Sequence, residues 1–255
     1  MKKNGMKKWS ALVLALLMLL SQIVAVSAEE PSSDDAEYEL AVAAIMRDYW
    51  NDPEGTLAEL EEVDTCLLGT PTIEVCYNEK ESMARLGPSY YEFYVYSFKR
   101  GNSNDHYLQW QIHNTSYELC PGTLDFVSIE WDTQYADYYR SSADEEFSTV
   151  RARGNGIILF NLEDDKMGFS EYTAGTVVVS PIKSGTMEFG SKFVHTYTES
   201  ATESSTASTN FVASASLGSN GLSLGLSYTE GYVVTTNYYT ATWQKWADNQ
   251  TTVRV

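Results

Sequence analysis

Histidine and cysteine are the residue types in this chain with the widest chemical use, and both are scarce. A histidine pair can bind a metal, and Cys120 with His113 would combine a nucleophile with a base. No HxH, HExxH or CxxC spacing occurs, so the sequence favours structural or solvent-exposed roles for these residues. The histidines are His106, His113 and His195, and the cysteines are Cys66, Cys76 and Cys120.

Two short motifs resemble those of serine hydrolases. Residues 221–225 match G-x-S-x-G, but Ser223 lies in an alternating, strand-like segment and no histidine follows it. The hydrolase motif requires a strand–turn–helix context with a histidine later in the chain. Residues 180–183 match S-x-x-K, yet the segment before Ser180 is strand-like and Gly185 follows closely. We expect neither motif to be catalytic.

Carboxylates are the remaining chemical groups. Pairs of carboxylates can hydrolyse glycosides, but only their separation in space decides that. The acidic runs 144–146 and 163–165 lack the D-x-D-x-D-G spacing of a calcium loop. The sequence therefore predicts no cofactor and no metal, and it favours a protein that is not an enzyme. The carboxylates considered for a scattered site are Glu130, Asp132, Asp164 and Asp165.

Residues 1–28 have the pattern of a secretory signal peptide. Four lysines precede an apolar run, and small or β-branched residues precede a cleavage point after Ala28. The run is shorter than the ~20 apolar residues of a spanning helix, so we expect cleavage and a secreted or extracytoplasmic chain.

The remaining chain is strongly acidic. Four of the 17 Lys and Arg residues lie before residue 29 and none of the 35 Asp and Glu residues does, so the net charge from residue 29 onward is −22. This charge disfavours nucleic acid and anionic lipid as partners. It favours solubility, and a solvated acidic surface explains it without a specific ligand.

An extracytoplasmic location permits a disulfide. Cys66 and Cys76 flank a short loop containing Gly69 and Pro71, so we favour that pair and leave Cys120 free. Three cysteines allow three single pairings, and the sequence alone does not choose between them.

The chain divides by periodicity into a helical part and a β part. Residues 29–64 form an acidic segment in which Tyr38, Val42, Ile45 and Tyr49 recur at helical spacing. Asp34 followed by Glu37 suggests a capping box, and Pro53 suits the first position of a second short helix. These helices would form a cap on the main domain or a regulatory pro-segment.

Residues 65–255 are predicted to form one antiparallel β domain. From about residue 72 apolar residues alternate with polar ones, which is the pattern of half-buried strands. The fold class predicted is mainly β, an antiparallel sandwich or elongated sheet preceded by one or two short helices. The predicted inward triplets are Tyr91, Phe93 and Val95; Leu108, Trp110 and Ile112; and Val127, Ile129 and Trp131.

A long C-terminal hairpin, residues 193–246, carries the clearest pattern. A turn sequence at 218–221 separates two alternating segments. Centring the turn between Ser219 and Asn220 pairs Leu217 with Leu222 and aligns the two apolar faces. Centring it on Asn220-Gly221 slips the register by two residues and keeps the same faces. No charged residue occurs from 204 to 229. The shared apolar face comprises Ala207, Phe211, Ala213, Ala215, Leu217, Leu222, Leu224, Leu226 and Tyr228.

This segment resembles, in composition and period, the membrane-inserting hairpin of aerolysin-type β-pore-forming proteins. The resemblance covers about 50 residues and implies a hairpin that is stored in the soluble form and later assembles into a barrel. A transmembrane β-strand needs ~9–11 alternating residues, which both arms supply. An ordinary sheet hairpin that packs its apolar face on the core explains the same pattern.

Three functions remain open from the sequence. The first is a secreted, non-enzymatic protein that binds an unknown extracellular or cell-surface partner or has a structural role. The alternative is a pore-forming or membrane-acting protein that inserts residues 204–229. The third is an enzyme whose site is scattered over loops. The oligomeric state is left undetermined.

Overall fold

The chain folds into two packed antiparallel sheets with two helices outside the first sheet. This computed structural model describes residues 32–77, 90–115, 125–163, 166–198, 208–218, 221–231, 238–241 and 253–254. It confirms the predicted fold class, mainly β and antiparallel with helices at the N-terminus. The predicted signal peptide and Cys120 lie outside the described residues, and the boundary at residue 64 stays a prediction.

The helices are α1 (Ser33–Met46) and α2 (Pro53–Glu62). The strands, in chain order, are β1 (Thr65–Leu67), β2 (Thr72–Tyr77), β3 (Tyr90–Arg100), β4 (His106–Asn114), β5 (Asp125–Trp131), β6 (Ala136–Ala143), β7 (Ser148–Gly154), β8 (Ile157–Leu162), β9 (Tyr172–Pro181), β10 (Thr186–Met187), β11 (Phe189–Thr198), β12 (Ser208–Gly218), β13 (Gly221–Gly231), β14 (Tyr238–Ala241) and β15 (Val253–Arg254).

Strand order defines the two layers. The first sheet runs β1-β3-β4-β9-β6, with β2 also paired to β3, and the second runs β14-β11-β5-β8-β7. Strands β12 and β13 form a separate two-stranded ladder, and β10 pairs with β15. Side chains from both main sheets meet in one buried cluster, so the sheets pack face to face as a sandwich.

The core between the sheets confirms the period-two pattern. All nine residues of the three predicted inward triplets are buried in this cluster. The intervening residues of β3 and β4 face the opposite way, where a second buried cluster forms beneath the helices. The first sheet is therefore covered on both faces.

Trp110 needs a glycine beside it in the core. It lies opposite Gly175 in the β4–β9 register, and its ring meets Phe160 edge to face at 5.4 Å. A Cβ placed on Gly175 would lie 2.6 Å from the indole Nε1. Glycine is required at position 175 because any side chain there would overlap the indole ring of Trp110.

We expect Gly175→Ala to lower the free energy of unfolding by about 1–3 kcal/mol, because the added methyl overpacks the core against a rigid ring. Urea unfolding of both proteins measures the change. Gly168→Ala is the matched control, since its Cβ would meet only the flexible Glu171 carboxylate at 3.3 Å. Equal stability of Gly175→Ala and the wild type would contradict this packing.

Helix α1 docks through a face that overlaps the predicted one but is centred on different residues. The buried residues are Glu39, Val42, Ala43 and Met46, whereas Tyr38 and Ile45 are only partly buried. The expected face was therefore partly wrong. The helix is rotated from the predicted orientation because the outer face of the first sheet carries polar side chains. Glu39 of the helix contacts these side chains.

Those polar groups form a buried network under α1. Arg140 Nη1 lies 2.5 Å from Glu39 Oε1, and Ser142 Oγ donates to Glu39 Oε2. The side-chain amides of Gln109 and Gln111 donate to the carbonyls of Glu39 and Ala43, at 3.0 and 3.1 Å. The helix is held by directed hydrogen bonds as well as by apolar contact, which specifies its rotation about its own axis.

The helix ends also differ in part from expectation. The N-cap of α1 is Ser32, whose Oγ accepts from the N–H of Asp35 at 3.2 Å. The Asp34–Glu37 capping box was wrong, because the helix has already begun at residue 33. Helix α2 confirms the other expectation: Pro53 occupies the first turn and Asp52 caps it.

His106 is a buried histidine at the start of β4, 3 % exposed. Burial, with a smaller contribution from the nearby Lys99, lowers the pKa of His106 to about 4, against the opposing effect of Asp105. In the described part of the chain its Nδ1 has no hydrogen-bond partner. The imidazole is therefore neutral in the folded protein at pH 7.

Because the pKa of His106 lies below its ordinary value, the unfolded chain binds the proton first as the pH falls. We expect stability to drop between about pH 6.5 and pH 4, by about 1–3 kcal/mol in total. Urea unfolding across this range measures the effect. His106→Gln, which cannot titrate, should show a shallower slope, and identical slopes would contradict the assignment.

Candidate functional site

The hairpin β12–β13 has the first of the two registers that the sequence allowed. Leu217 pairs with Leu222 and Ala215 with Leu224. Phe211 pairs with Tyr228, and the ladder is unbroken over eleven residue pairs. The predicted face residue Ala207 and the turn residues 219–220 lie outside the described residues. The inward or outward use of this face stays a prediction.

The outer parts of the two arms also pair. His195 lies opposite Ala241 and Thr198 opposite Tyr238, through β11 and β14. Nine residues separate β11 from β12, but only six separate β13 from β14. The inner ladder is thus offset by three residues from the outer one, so the predicted arms do not form one continuous register. The connecting residues 199–207 and 232–237 lie outside the described part of the chain.

The hairpin runs across the second sheet. Its strand β12 comes within 8 Å of β8, and β13 within 8 Å of β5 and β11, measured between Cα atoms. The inner face of these three strands already packs on the first sheet. The hairpin therefore lies against the opposite, outer face. All seven residues of β5 are buried, although only alternate ones point into the sandwich core.

The outer face beneath the hairpin is partly polar. Ser128, Glu130 and Lys192 lie on it and are at most 6 % exposed. Ser128 Oγ donates to Glu130 Oε1 at 3.0 Å. Lys192 lies directly opposite Ser128 in the β5–β11 register. We call these three residues the polar seat. Apolar neighbours on the same face are Phe126, Ile157 and Leu159.

The charges of the polar seat are opposite in sign. Burial lowers the pKa of Lys192, while the charge of Glu130 acts in the other direction. Removing an ion pair from water costs free energy that its attraction only roughly repays. A hairpin docked on such a seat is held less firmly than one docked on an apolar surface.

A single substitution in the polar seat should lower the stability of the protein, whereas replacing both charged residues should restore it. Lys192→Met removes a buried cation whose charge interacts with that of Glu130, so we expect a loss of about 3–5 kcal/mol and faster amide exchange in β12 and β13. Glu130→Leu combined with Lys192→Met should recover that loss and slow the exchange below the wild-type rate. Hydrogen exchange with mass spectrometry measures both. A double variant as unstable as the single one would contradict this account.

The predicted Cys66–Cys76 disulfide is not formed, and Cys66 carries a free, exposed thiol. Strands β1 and β2 pair with the same strand, but at separate places: Cys66 lies opposite Lys99 and Cys76 opposite Tyr91. Eight residues of β3 span roughly 26 Å. A disulfide needs Cα atoms within ~7 Å, so the register excludes the bridge.

The other sequence candidates are scattered. Glu130 belongs to the polar seat, while Asp132 caps a turn by accepting from the N–H of Gln134 at 2.9 Å. Asp164 and Asp165 lie outside the described residues, so the carboxylate pairs remain untested.

The two serine motifs do not have the structure that a hydrolase requires. Ser223 lies inside β13, not on a strand–helix turn. Ser180 donates to Asp105.

Histidine 113 has partners that sequence reasoning missed. On the outer face of the first sheet it lies opposite Glu92 in β3 and opposite Tyr172 in β9. Its Nδ1 donates to Glu92 Oε2 at 2.8 Å, and its Nε2 lies 3.5 Å from Ser170 Oγ. These residues are 21 and 57 positions away in sequence. No local signal could have joined them.

The described residues contain neither a membrane-spanning helix nor a group of side chains that could hold a metal ion. None of the helices there is long and apolar enough to span a membrane. Within the same ranges, no three His, Cys, Asp or Glu side chains come together in a group that could hold a metal ion.

Comparison with known proteins assigns neither a family nor a function to this chain. No protein-family model matches the sequence, and no curated protein matches it significantly. Among solved structures, the chain is similar to the sixth cohesin of scaffoldin B from Acetivibrio cellulolyticus, solved with a mutant Cel5 dockerin. The TM-score is 0.28 at 11 % identity, covering 36 % of this chain and 78 % of the cohesin. A likeness this low identifies no ligand or partner.

Proposed function

We propose that this β-rich protein acts outside the cytoplasm by binding a membrane, and that the hairpin β12–β13 inserts into the lipid. The observation that carries the proposal is the hairpin itself. It is a ladder of eleven pairs, separate from both sheets of the sandwich, lying over a face that contains buried charges.

The dimensions of the ladder suit a bilayer. Eleven residues at ~3.3 Å each extend about 36 Å. Strands of a membrane barrel tilt by ~35–45°, which brings this length to about 25 Å along the membrane normal, the height of the apolar band of such barrels. Glu230, the charged residue of the ladder, lies one pair from its open end, where it would be at the level of the membrane interface.

The charge distribution supports the same function. Between Glu203 and Glu230 no charged side chain occurs, although the chain as a whole carries 35 acidic residues. A charge on the lipid side of a membrane strand costs ~2–4 kcal/mol at the bilayer midplane for the basic residues. The strongly negative net charge disfavours anionic lipids, so the target is a zwitterionic membrane.

The polar seat supports release of the hairpin. When β12 and β13 leave, Glu130 and Lys192 regain water, and their hydration offsets part of the lost contact. An apolar face of the same size would gain no such hydration. Leaving the sandwich is therefore less costly than it would be for an ordinary core hairpin.

Dye release from vesicles tests the proposal. Residues 29–255 are added to calcein-loaded phosphatidylcholine vesicles at pH 7 and pH 5, and we expect release. Leu224→Asp and Phe211→Asp should abolish it, because both substitutions place a charge on the predicted lipid-facing side. The neighbouring substitutions Ser223→Asp and Asn210→Asp are matched controls on the other side and should leave most of the release intact.

Thermal unfolding of each variant separates loss of insertion from loss of folding. Absence of release by the folded wild type at both pH values would overturn membrane insertion. The better function would then be an extracellular binding or structural protein with a soluble partner. One observation favours that second function: Trp50 is 37 % exposed and stacks on Tyr94 at 6.4 Å, which leaves an indole surface free for a sugar or peptide.

A further inference from the structure

We propose a second, independent function for the opposite face of the sandwich: Ser170, His113 and Glu92 form a nucleophile, base and orienting acid that hydrolyse a small carboxylic ester. The three side chains are joined in the order Ser170 Oγ, His113 Nε2, His113 Nδ1, Glu92 Oε2, at 3.5 and 2.8 Å. This order of atoms is the one by which serine hydrolases activate their nucleophile.

The sheet holds the base and its acid side by side. Glu92 and His113 are direct cross-strand partners in β3 and β4, so their spacing is a property of the ladder and does not depend on a loop. Glu92 Oε2 also accepts from the hydroxyl of Tyr94 at 2.6 Å. Burial opposes ionisation of this carboxyl, but the hydrogen bonds from Tyr94 and His113 outweigh it and lower the pKa of Glu92.

An ionised Glu92 selects the required tautomer of His113. The carboxylate can only accept, so Nδ1 must carry the proton and Nε2 is left with a free lone pair toward Ser170. The ring is fixed by Tyr172, which stacks on it at 3.9 Å with an interplanar angle of 3°. Arg47 covers the tyrosine ring as well, at 4.4 Å from its centroid. Glu92 and Tyr172 are therefore positioning residues.

The nucleophile sits on a strained backbone. Ser170 has φ = 67°, in the left-handed region where residues with side chains are uncommon. Its N–H donates to the carbonyl of Asn114 at 2.8 Å, and the N–H of Asn114 donates to the carbonyl of Glu171 at 2.9 Å. These two bonds tie the turn to the end of β4, beside His113. Strained backbone of this kind concentrates at functional sites.

The site is open to a small substrate. Ser170 is exposed, and the adjacent Phe169 is 55 % exposed, which provides an apolar surface for an acyl chain. The N–H of Glu171 makes a long bond of 3.3 Å to Gly168. In α/β-hydrolases the residue after the nucleophile supplies an oxyanion donor from its N–H, and Glu171 is the residue after Ser170.

The reaction balances without a cofactor. Ser170 Oγ attacks the ester carbonyl carbon while its proton passes to His113 Nε2. The carbon–oxygen bond to the alcohol breaks, and the leaving alcohol takes that proton. Water then attacks the acyl-serine, gives its proton to Nε2, and the acid leaves as Ser170 Oγ regains a proton.

Hydrolysis of p-nitrophenyl acetate and p-nitrophenyl butyrate by the full chain tests the inference. We expect Ser170→Gly to lower kcat/KM by about 100-fold or more. Glycine is chosen because it accepts the left-handed backbone that alanine would resist. His113→Gln should lose a comparable factor, while Ser33→Ala, an exposed serine of α1, should keep the wild-type rate.

A chemical label adds a readout that a structural role cannot produce. Phenylmethanesulfonyl fluoride reacts with an activated serine by losing fluoride, so mass spectrometry should find the sulfonyl adduct on Ser170 and not on Ser33. Glu92→Gln should lower kcat with little change in KM, because the amide no longer fixes the tautomer that leaves His113 Nε2 free to accept the proton of Ser170.

Two results would overturn the inference. One is hydrolysis by folded Ser170→Gly at the wild-type rate, which would mean background catalysis by imidazole alone. The other is a folded wild type that leaves Ser170 unlabelled. Neither result bears on the hairpin, since vesicle leakage uses residues on the opposite face of the sandwich.

Discussion

The register of strand β4 between β3 and β9 is the constraint on which most of this structure depends. Alternation sends Trp110 into the sandwich, where Gly175 leaves room for its ring. The same alternation sends Gln109 and Gln111 outward under helix α1. At the end of the strand it places His113 between Glu92 and Tyr172. A shift of one residue would exchange core and surface along the whole strand.

Buried charge recurs on both outer faces of the sandwich. Glu39 and Arg140 join α1 to the first sheet, and Glu130 and Lys192 lie under the hairpin on the second. Such pairs add little net stability compared with apolar packing, but breaking one by losing a partner is costly. They specify where a helix or hairpin sits without binding it tightly.

The two outer faces have different chemistry. The hairpin face combines a ladder in which Glu230 is the one charged residue with the buried side chains of Glu130 and Lys192, whereas the face around His113 combines aromatic rings with an acid and a base. Because the sandwich core separates them, each can serve a partner without the other. A membrane-bound molecule would keep the His113 face on the far side of the sandwich, open to solvent.

Features that depend on neighbouring residues could be predicted from the sequence. Period-two alternation identified the inward triplets of β3, β4 and β5, and the same pattern with a central turn identified the hairpin register that pairs Leu217 with Leu222. Pro53 marked the start of α2, because proline suits the first turn of a helix. These signals need only a few consecutive residues, because backbone geometry repeats along a strand or helix.

Only the tertiary structure decided which distant residues meet. A short loop made Cys66 and Cys76 look like partners, but both strands pair along β3 at places about 26 Å apart. The docking face of α1 depended on an arginine about a hundred residues away in sequence. Ser170 joined His113 only because the turn before β9 is tied to the end of β4. Pairing between remote segments is fixed by sheet order and register, and no local pattern encodes either.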